Sequence, residues 1–257
     1  MATIGIIGGT RGLGRALVDE YTRRAGHSVY ATARYTPPLG TPPAGLHWIG
    51  DVDIAHADAA TKISVRYGEA GPLDVLIISA GYFGKEEFGH LDWEAEMRMY
   101  ATSAVGPAFL VQNLVKRKML GKGSKVVLIT SESGSIGLRH ESEGGGNYGH
   151  HASKAAENMV GKLLSLDLKK LGIAVAMVHP GFMRTEMTRG VGFDKYWDQG
   201  GAVEPAVAAK SLVDWIDTFD ISKTGEFWAP RGAADIGTAE HVLGPKDKLP
   251  VPLQLPW

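Results

Sequence analysis

The chain has 257 residues with 34 Gly, 13 Pro and no Cys. That is the length of one α/β domain with a full core, and the missing thiols exclude disulfides, thiolate metal sites, iron–sulfur clusters and a cysteine nucleophile. A formal net charge of −1, with 21% charged residues, gives no global field for nucleic acid or anionic membranes, so any anion site must be local.

The first apolar run, residues 3–7, reads as a strand and is followed by a glycine-rich turn and a helix beginning near Arg15. Further strands are predicted at 28–33, 46–49, 74–78, 126–130 and 173–178, with a weaker one at 225–228. Near-continuous apolar runs of this kind suit strands buried on both faces. Pro37, Pro38, Pro42 and Pro43 make the stretch after the second strand a loop in place of a helix. A long helix is predicted over 92–119, with Asp92 as N-cap, Glu94 and Glu96 in its first turn and Lys116-Arg117-Lys118 in its last. A second helix, 152–170, carries an apolar face of Ala155, Met159, Val160, Leu163, Leu164 and Leu168 and stops at Gly172. Residues 244–257, with Pro245, Pro250, Pro252 and Pro256, form an extended tail. The alternation predicts one Rossmann-like α/β domain over 1–257, a doubly wound parallel sheet with helices on both faces. No apolar run approaches the roughly 20 residues of a membrane helix, so a cytoplasmic protein without membrane or nucleic-acid partners is expected.

The turn after the first strand is Gly8-Gly9-Thr10-Arg11-Gly12-Leu13-Gly14. Glycines let backbone approach a pyrophosphate, and the free N–H groups at the following helix N-terminus bind its charge. The second strand ends in Ala33-Arg34 rather than in a carboxylate, which would repel a 2′-phosphate. Arg34 from one side and Arg11 from the other therefore favour NADP(H) over NAD.

The Gly8-x3-Gly12-x-Gly14 spacing resembles the short-chain dehydrogenase/reductase family, and the resemblance runs from end to end. Asp51-Val52 resembles its adenine-contacting segment, Ala80-Gly81 ends the fourth strand, and Pro180-Gly181 with Thr185 follows the sixth. The run Gly-Gly-Gly-Asn-Tyr before Ser153-Lys154 looks most like the C-factor and sniffer carbonyl-reductase branch. The resemblance implies that a serine polarises the substrate carbonyl, a tyrosine exchanges the proton and a lysine holds the nicotinamide ribose. Ser131 and Lys154 take the first and third places.

The residue four before Lys154 is His150, where the family has tyrosine. Tyr148 sits six residues before Lys154, rotated by about 240° on a helix, and can serve only if that backbone is not helical. Ser103 stands where the family has a helix asparagine, and Ile78-Ser79 where it has Asn-Asn. An imidazole donates a proton only as imidazolium, which the Lys154 cation opposes. A compensating carboxylate is needed, with Glu132, Glu141, Glu143 and Glu186 as candidates by position. Without one, His150 suits a fixed hydrogen bond to an oxyanion, shared with Ser131.

The segment 182–200 corresponds to the family's substrate lid. Phe182, Met187, Phe193, Tyr196 and Trp197, with Tyr82, Phe83 and Tyr148, predict a bulky, largely apolar substrate behind a mobile Gly144-Gly145-Gly146 wall. Histidines 140, 150, 151 and 179 lack metal-ligand spacing, and no metal is expected. The two long helices, rich in small residues such as Ala101, Gly106, Ala155 and Gly161, suggest a homodimer or, equally, close packing on the sheet. Three activities stay open: NADPH-dependent reduction of a carbonyl or enone by Ser131, His150 and Lys154; a scaffold redirected to isomerisation, dehydration or cyclisation; and a non-catalytic NADP(H)-binding regulator.

Overall fold

Every predicted apolar run becomes a strand of one eight-stranded sheet in a computed structural model that describes residues 2–68 and 70–257. In chain order the strands are β1 (Ala2–Ile7), β2 (His27–Thr32), β3 (Leu46–Ile49), β4 (Val75–Ile78), β5 (Lys125–Ile129), β6 (Ala174–Val178), β7 (Phe227–Ala229) and β8 (Leu253–Gln254). They lie in the order β3-β2-β1-β4-β5-β6-β7-β8, all parallel except β8, which pairs antiparallel with β7. The order reverses direction at β1 and β4, so a crevice opens beyond their C-terminal ends.

Helices cover both faces. On one, α1 (Gly12–Arg23) and α7 (Pro205–Thr218) contribute Leu17, Val18, Leu212 and Val213 to a core with Ile4, Ile6, Val29 and Ile77. On the other, α2 (Ala59–Tyr67), α4 (Gly106–Lys116) and α5 (Tyr148–Leu168) pack over Ile7, Leu76, Ile78, Val126 and Met177. Adjacent residues Ile6 and Ile7 serve opposite cores, as the two-residue period of a strand requires. The proline-rich stretch between β2 and β3 is a loop without a helix.

Four expectations need correction. The helix expected over 92–119 is three pieces: α3 (Trp93–Tyr100), a five-residue π turn at Ala101–Val105, and α4. Asp92 does cap it, accepting hydrogen bonds from the N–H groups of Glu94 and Ala95 at 3.0 and 3.1 Å. Helix α5 begins at Tyr148, four residues earlier than expected, because Glu86 from a distant loop accepts the Gly149 N–H at 2.7 Å through its carboxylate. Its expected apolar face is split: Met159 and Leu163 are exposed, Leu164 and Leu168 pack on the core, and much of the buried side is polar or small, with Lys154, Glu157, Asn158, Gly161 and Ser165. The helix lies too close to the sheet for large residues, since a Cβ on Gly161 would stand 2.2 Å from Met177 Sδ.

The tail is extended only in part. After α6 (Glu186–Gly190) in the lid and α8 (Ala239–Leu243), the chain ends in β8, and the Trp257 carbonyl accepts a hydrogen bond from Gly137 N–H at 2.7 Å.

Candidate active site

A cleft of about 1380 Å³ runs along the C-terminal ends of β1 to β6. At one end Gly8, Thr10, Arg11, Gly12, Leu13 and Gly14 line it. The turn is tight enough that a Cβ on Gly14 would meet the Gly8 carbonyl oxygen at 2.0 Å. The N-cap residue of α1 is Arg11, whose side chain caps nothing, and no acidic residue occupies the first turn. Free N–H donors and the positive end of the helix dipole therefore face the cleft. Arg34 lines the same end with its guanidinium 5.0 Å from the Tyr35 ring centre, and it has no carboxylate partner among the described residues. Arg11 is exposed and lies 3.6 Å from Glu186 of the lid.

At the other end the cleft is lined by Ser131, His150 and Lys154. Ser131, just beyond β5, donates its hydroxyl to Ser133 Oγ at 2.9 Å and accepts the Ser133 N–H at 3.2 Å. Lys154 donates to the Ile129 carbonyl at 2.9 Å and to Glu157 Oε2 at 2.6 Å. His150 stacks on Phe83 with ring centres 3.9 Å apart, and its Nδ1 is buried without a hydrogen-bond partner. Burial first, then the charge of Lys154, His151 and Arg139, holds the His150 imidazole well below its usual range. Burial raises the Glu157 carboxyl to about 7 against the pull of Lys154.

Between the two ends Val52, Ala80, Gly81, Pro180, Gly181 and Thr185 form the walls, and the lid contributes Phe182, Met183, Met187, Phe193 and Tyr196. Residues 2–195 match the sequence pattern of the short chain dehydrogenases. The chain belongs to the short chain dehydrogenase family. It is 28% identical to the 1-hydroxy-2-glutathionyl-2-methyl-3-butene dehydrogenase of Rhodococcus sp. (strain AD45) over 228 residues, which are 88% of this chain and 96% of that one. In fold it resembles the NADPH-bound carbonyl reductase from chicken fatty liver, with a TM-score of 0.77, 21% identity and coverage of 89% of this chain and 91% of that one. The carbonyl reductase Sniffer of Drosophila melanogaster superposes over 100% of both chains with a TM-score of 0.74 and 20% identity.

Within this short chain dehydrogenase fold, most predicted site residues meet in the one cleft, but three do not. Asp51 turns outward to Lys62, 3.0 Å away, and Val52, Asp53 and Ile54 form the wall instead. Ser103 is 1% exposed in the π turn with its hydroxyl unpartnered, and Thr102 is the residue that reaches the cleft. Trp197 does not line the cleft itself but lies behind it, donating its indole N–H to Thr188 Oγ1 at 3.2 Å beside the guanidinium groups of Arg184 and Arg189. Tyr148 lines the cleft rim, but as the first residue of α5 it is helical and rotated away from Lys154.

None of the four carboxylates proposed to support His150 bonds to it. Glu132 and Glu143 pair with Arg139, Glu186 approaches Arg11, and Glu141 is exposed. The carboxylate that pairs with Lys154 is Glu157, which the sequence reading missed. Its signal was the Lys154-x-x-Glu157 spacing, three apart on a helix and so neighbours on its surface. Also missed was a charged wall. Glu132, Arg139, Glu143, His179 and Asp235 also line the cleft. His179 Nδ1 accepts the Glu132 N–H at 3.1 Å, and Asp235 Oδ2 accepts the Phe182 N–H at 2.7 Å. Burial opposes the Asp235 charge, but the nearby His179 imidazole, the Phe182 N–H and the Arg231 guanidinium outweigh it and hold that carboxyl below its usual range.

Proposed function

We propose that the protein is an NADPH-dependent carbonyl or enone reductase in which Ser131, His150 and Lys154 replace the family's serine, tyrosine and lysine. The observation that carries this reading is the continuity of one cleft from the glycine turn, with Arg11 and Arg34 beside it, to Ser131, His150 and Lys154. The fit to the cofactor rests on uncapped N–H donors at α1 for a pyrophosphate, an unpaired Arg34 for a 2′-phosphate, and a buried ammonium with a donor left for a ribose.

When bound, NADPH supplies a hydride to the carbonyl carbon. The chain's own residues then stabilise the oxygen. Ser131 exchanges its bond to Ser133 for one to that oxygen. The buried, partnerless Nδ1 of His150 is better left as a bare acceptor than as an unmet donor, which puts the proton on Nε2. A neutral His150 therefore donates a hydrogen bond to the forming oxyanion, while water supplies the proton. Lys154 orients the ribose. Phe83, Phe182, Met187 and Phe193 take the apolar body of the substrate, and the wall of Glu132, Arg139 and Asp235 accommodates polar substituents. The Rhodococcus relative is named for an alcohol that carries a glutathionyl group, which combines a polar extension with an apolar skeleton.

A second reading, non-redox chemistry with the nucleotide as a fixed element, is favoured by one observation: a depressed His150 leaves the site without a strong acid. Following absorbance at 340 nm while 9,10-phenanthrenequinone is presented with NADPH tests the first reading. NADPH loss above the enzyme-free rate supports reduction. Screening aldehydes, ketones and enones for product without NADPH loss tests the second.

Assembly as a homodimer through α3–α4 and α5 belongs to the same proposal. Trp93, Met97, Phe109, Met159, Leu163 and Leu166 are all exposed on these helices. The small residues once considered for this contact are used elsewhere, since Gly161 meets Met177 and a Cβ on Gly106 would stand 2.2 Å from the Ile54 carbonyl oxygen. Light scattering giving the mass of a monomer would exclude the dimer.

A further inference from the structure

Lys154 has three N–H donors, and two are engaged within the protein, one by the Ile129 carbonyl and one by Glu157. Glu157 lies one turn further along α5 with its side chain 1% exposed, against 10% for the lysine. A carboxylate at that depth is tolerated only with a paired cation. The elements packed against this part of α5 pair it with no other cation. Arg98, Glu96 and Tyr100 come from α3, with Arg98 exposed and stacked over the Tyr82 ring at 4.1 Å. Glu132 comes from the turn after β5, the π turn and β6 carry no charged residue, and Lys116 of α4 is exposed. Glu96 faces Glu86, Glu132 pairs with Arg139, and on α5 itself His150 and His151 are both held below the usual histidine range by burial. Among the described residues, Lys154 and Glu157 are each other's charge partner.

We propose that Glu157 is a positioning residue for Lys154: its carboxylate fixes the ammonium so that a single N–H faces the cleft, and it offsets the positive charge that the lysine would otherwise place beside His150. The substitution at 150 makes that offset matter. Beside a tyrosine, an uncompensated ammonium favours loss of the phenolic proton. Beside an imidazole, the same charge works against the ring, and a carboxylate 2.6 Å from Nζ reduces it to a dipole. Glu157 and His150 thus form one adjustment to the same lysine. The proposal rests on the reading of this cleft as an NADPH site with Lys154 at its catalytic end.

Two measurements on the full chain test it. The first needs no cofactor: acetylation of Lys154 by limiting acetic anhydride at pH 8, followed by mass spectrometry. A buried ammonium that loses its counter-ion gives up its proton more readily, so folded Glu157→Gln should label about tenfold faster than the parent, and Glu157→Asp at an intermediate rate. An unchanged rate in Glu157→Gln overturns the proposal. If that variant does not fold, an unchanged rate in Glu157→Asp does so. The second is a double-mutant cycle on NADPH affinity, read by nucleotide fluorescence. Glu157→Gln should weaken binding about tenfold in the parent and less than about twofold in a Lys154→Ala background. Equal losses in both backgrounds mean that Glu157 does not act through Lys154. A parent chain that fails to bind NADPH defeats the functional reading, and the labelling experiment still decides the role of Glu157.

Discussion

Phe83 and His150 lie ring on ring, 3.9 Å between centres and 21° between planes, with Phe193 packed edge-on against Phe83 at 5.7 Å. This aromatic stack fixes the plane of the imidazole and keeps water from one of its faces. Burial in this site, and then the Lys154 charge, hold the imidazole well below its usual range, which under the proposed function leaves His150 to donate a hydrogen bond rather than a proton.

The pH dependence follows. With its pKa depressed well below 6.5, His150 does not titrate between pH 6.5 and 9, and kcat/KM for carbonyl reduction should show no fall assignable to it in that range. A decline centred near pH 6.5 that disappears in His150→Phe would restore the imidazolium as the acid. The same variant keeps the stacking surface but removes the N–H, and a loss of about 100-fold in kcat is expected.

Cofactor choice should reside in Arg34. Arg34→Ala removes a charged donor with no competing carboxylate, and NADPH affinity should fall by about tenfold or more. NADH affinity should change by less than about twofold. Fluorescence titration with both nucleotides measures the ratio, and a parallel loss for both would place the 2′-phosphate elsewhere.

Glu157 should leave a mark on stability. Burial pushes its carboxyl up to about 7 from the ordinary 4.5, so between about pH 4.5 and 7 the folded chain retains a proton that the unfolded chain has released. Stability contributed by this group is full below that window and lost as pH rises through it. The size is about 3 kcal/mol. Urea unfolding of the parent and of Glu157→Gln across pH 5 to 8 should show the excess decline only in the parent. Parallel curves would remove the shift.

Ser103 separates a sequence match from a working group. Its hydroxyl is buried without a partner, so Ser103→Ala should keep full activity and unfold at an equal or higher temperature, with a gain of up to about 1 kcal/mol. A large loss of kcat would return Ser103 to the active site.

The sheet, the glycine turn and the placing of His150 beside Lys154 in the cleft were legible because each is written in contiguous residues: apolar runs for the strands, one tight turn, and one helical turn from 150 to 154; Ser131, at the end of a strand, was placed by the resemblance to the family. Asp51, Ser103 and Trp197 were misplaced by a single position or a single rotation, their neighbours Val52, Thr102 and Tyr196 being the residues that line the cleft. Motif spacing specifies a stretch of chain, whereas the direction of a side chain depends on the neighbour it meets, such as Lys62 for Asp51. The start of α5 was misjudged because its stabilising carboxylate, Glu86, comes from a loop far away in sequence. The charged wall was unreadable for the same reason, since it joins residues 132–143 to Asp235. The exposure of Met159 and Leu163 on α5, beside the buried Leu168, was not readable because periodicity reports that a helix has two sides without saying where the cover ends.

The bond from Gly137 N–H to the Trp257 carbonyl ties the loop that follows Ser131 to the far end of the sequence. The glycine turn is local in sequence, Gly8 to Gly14 on one continuous stretch, whereas the loop at the reacting end is held by a residue far along the chain, so a change near Trp257 acts on the neighbourhood of Ser131 rather than on the nucleotide end.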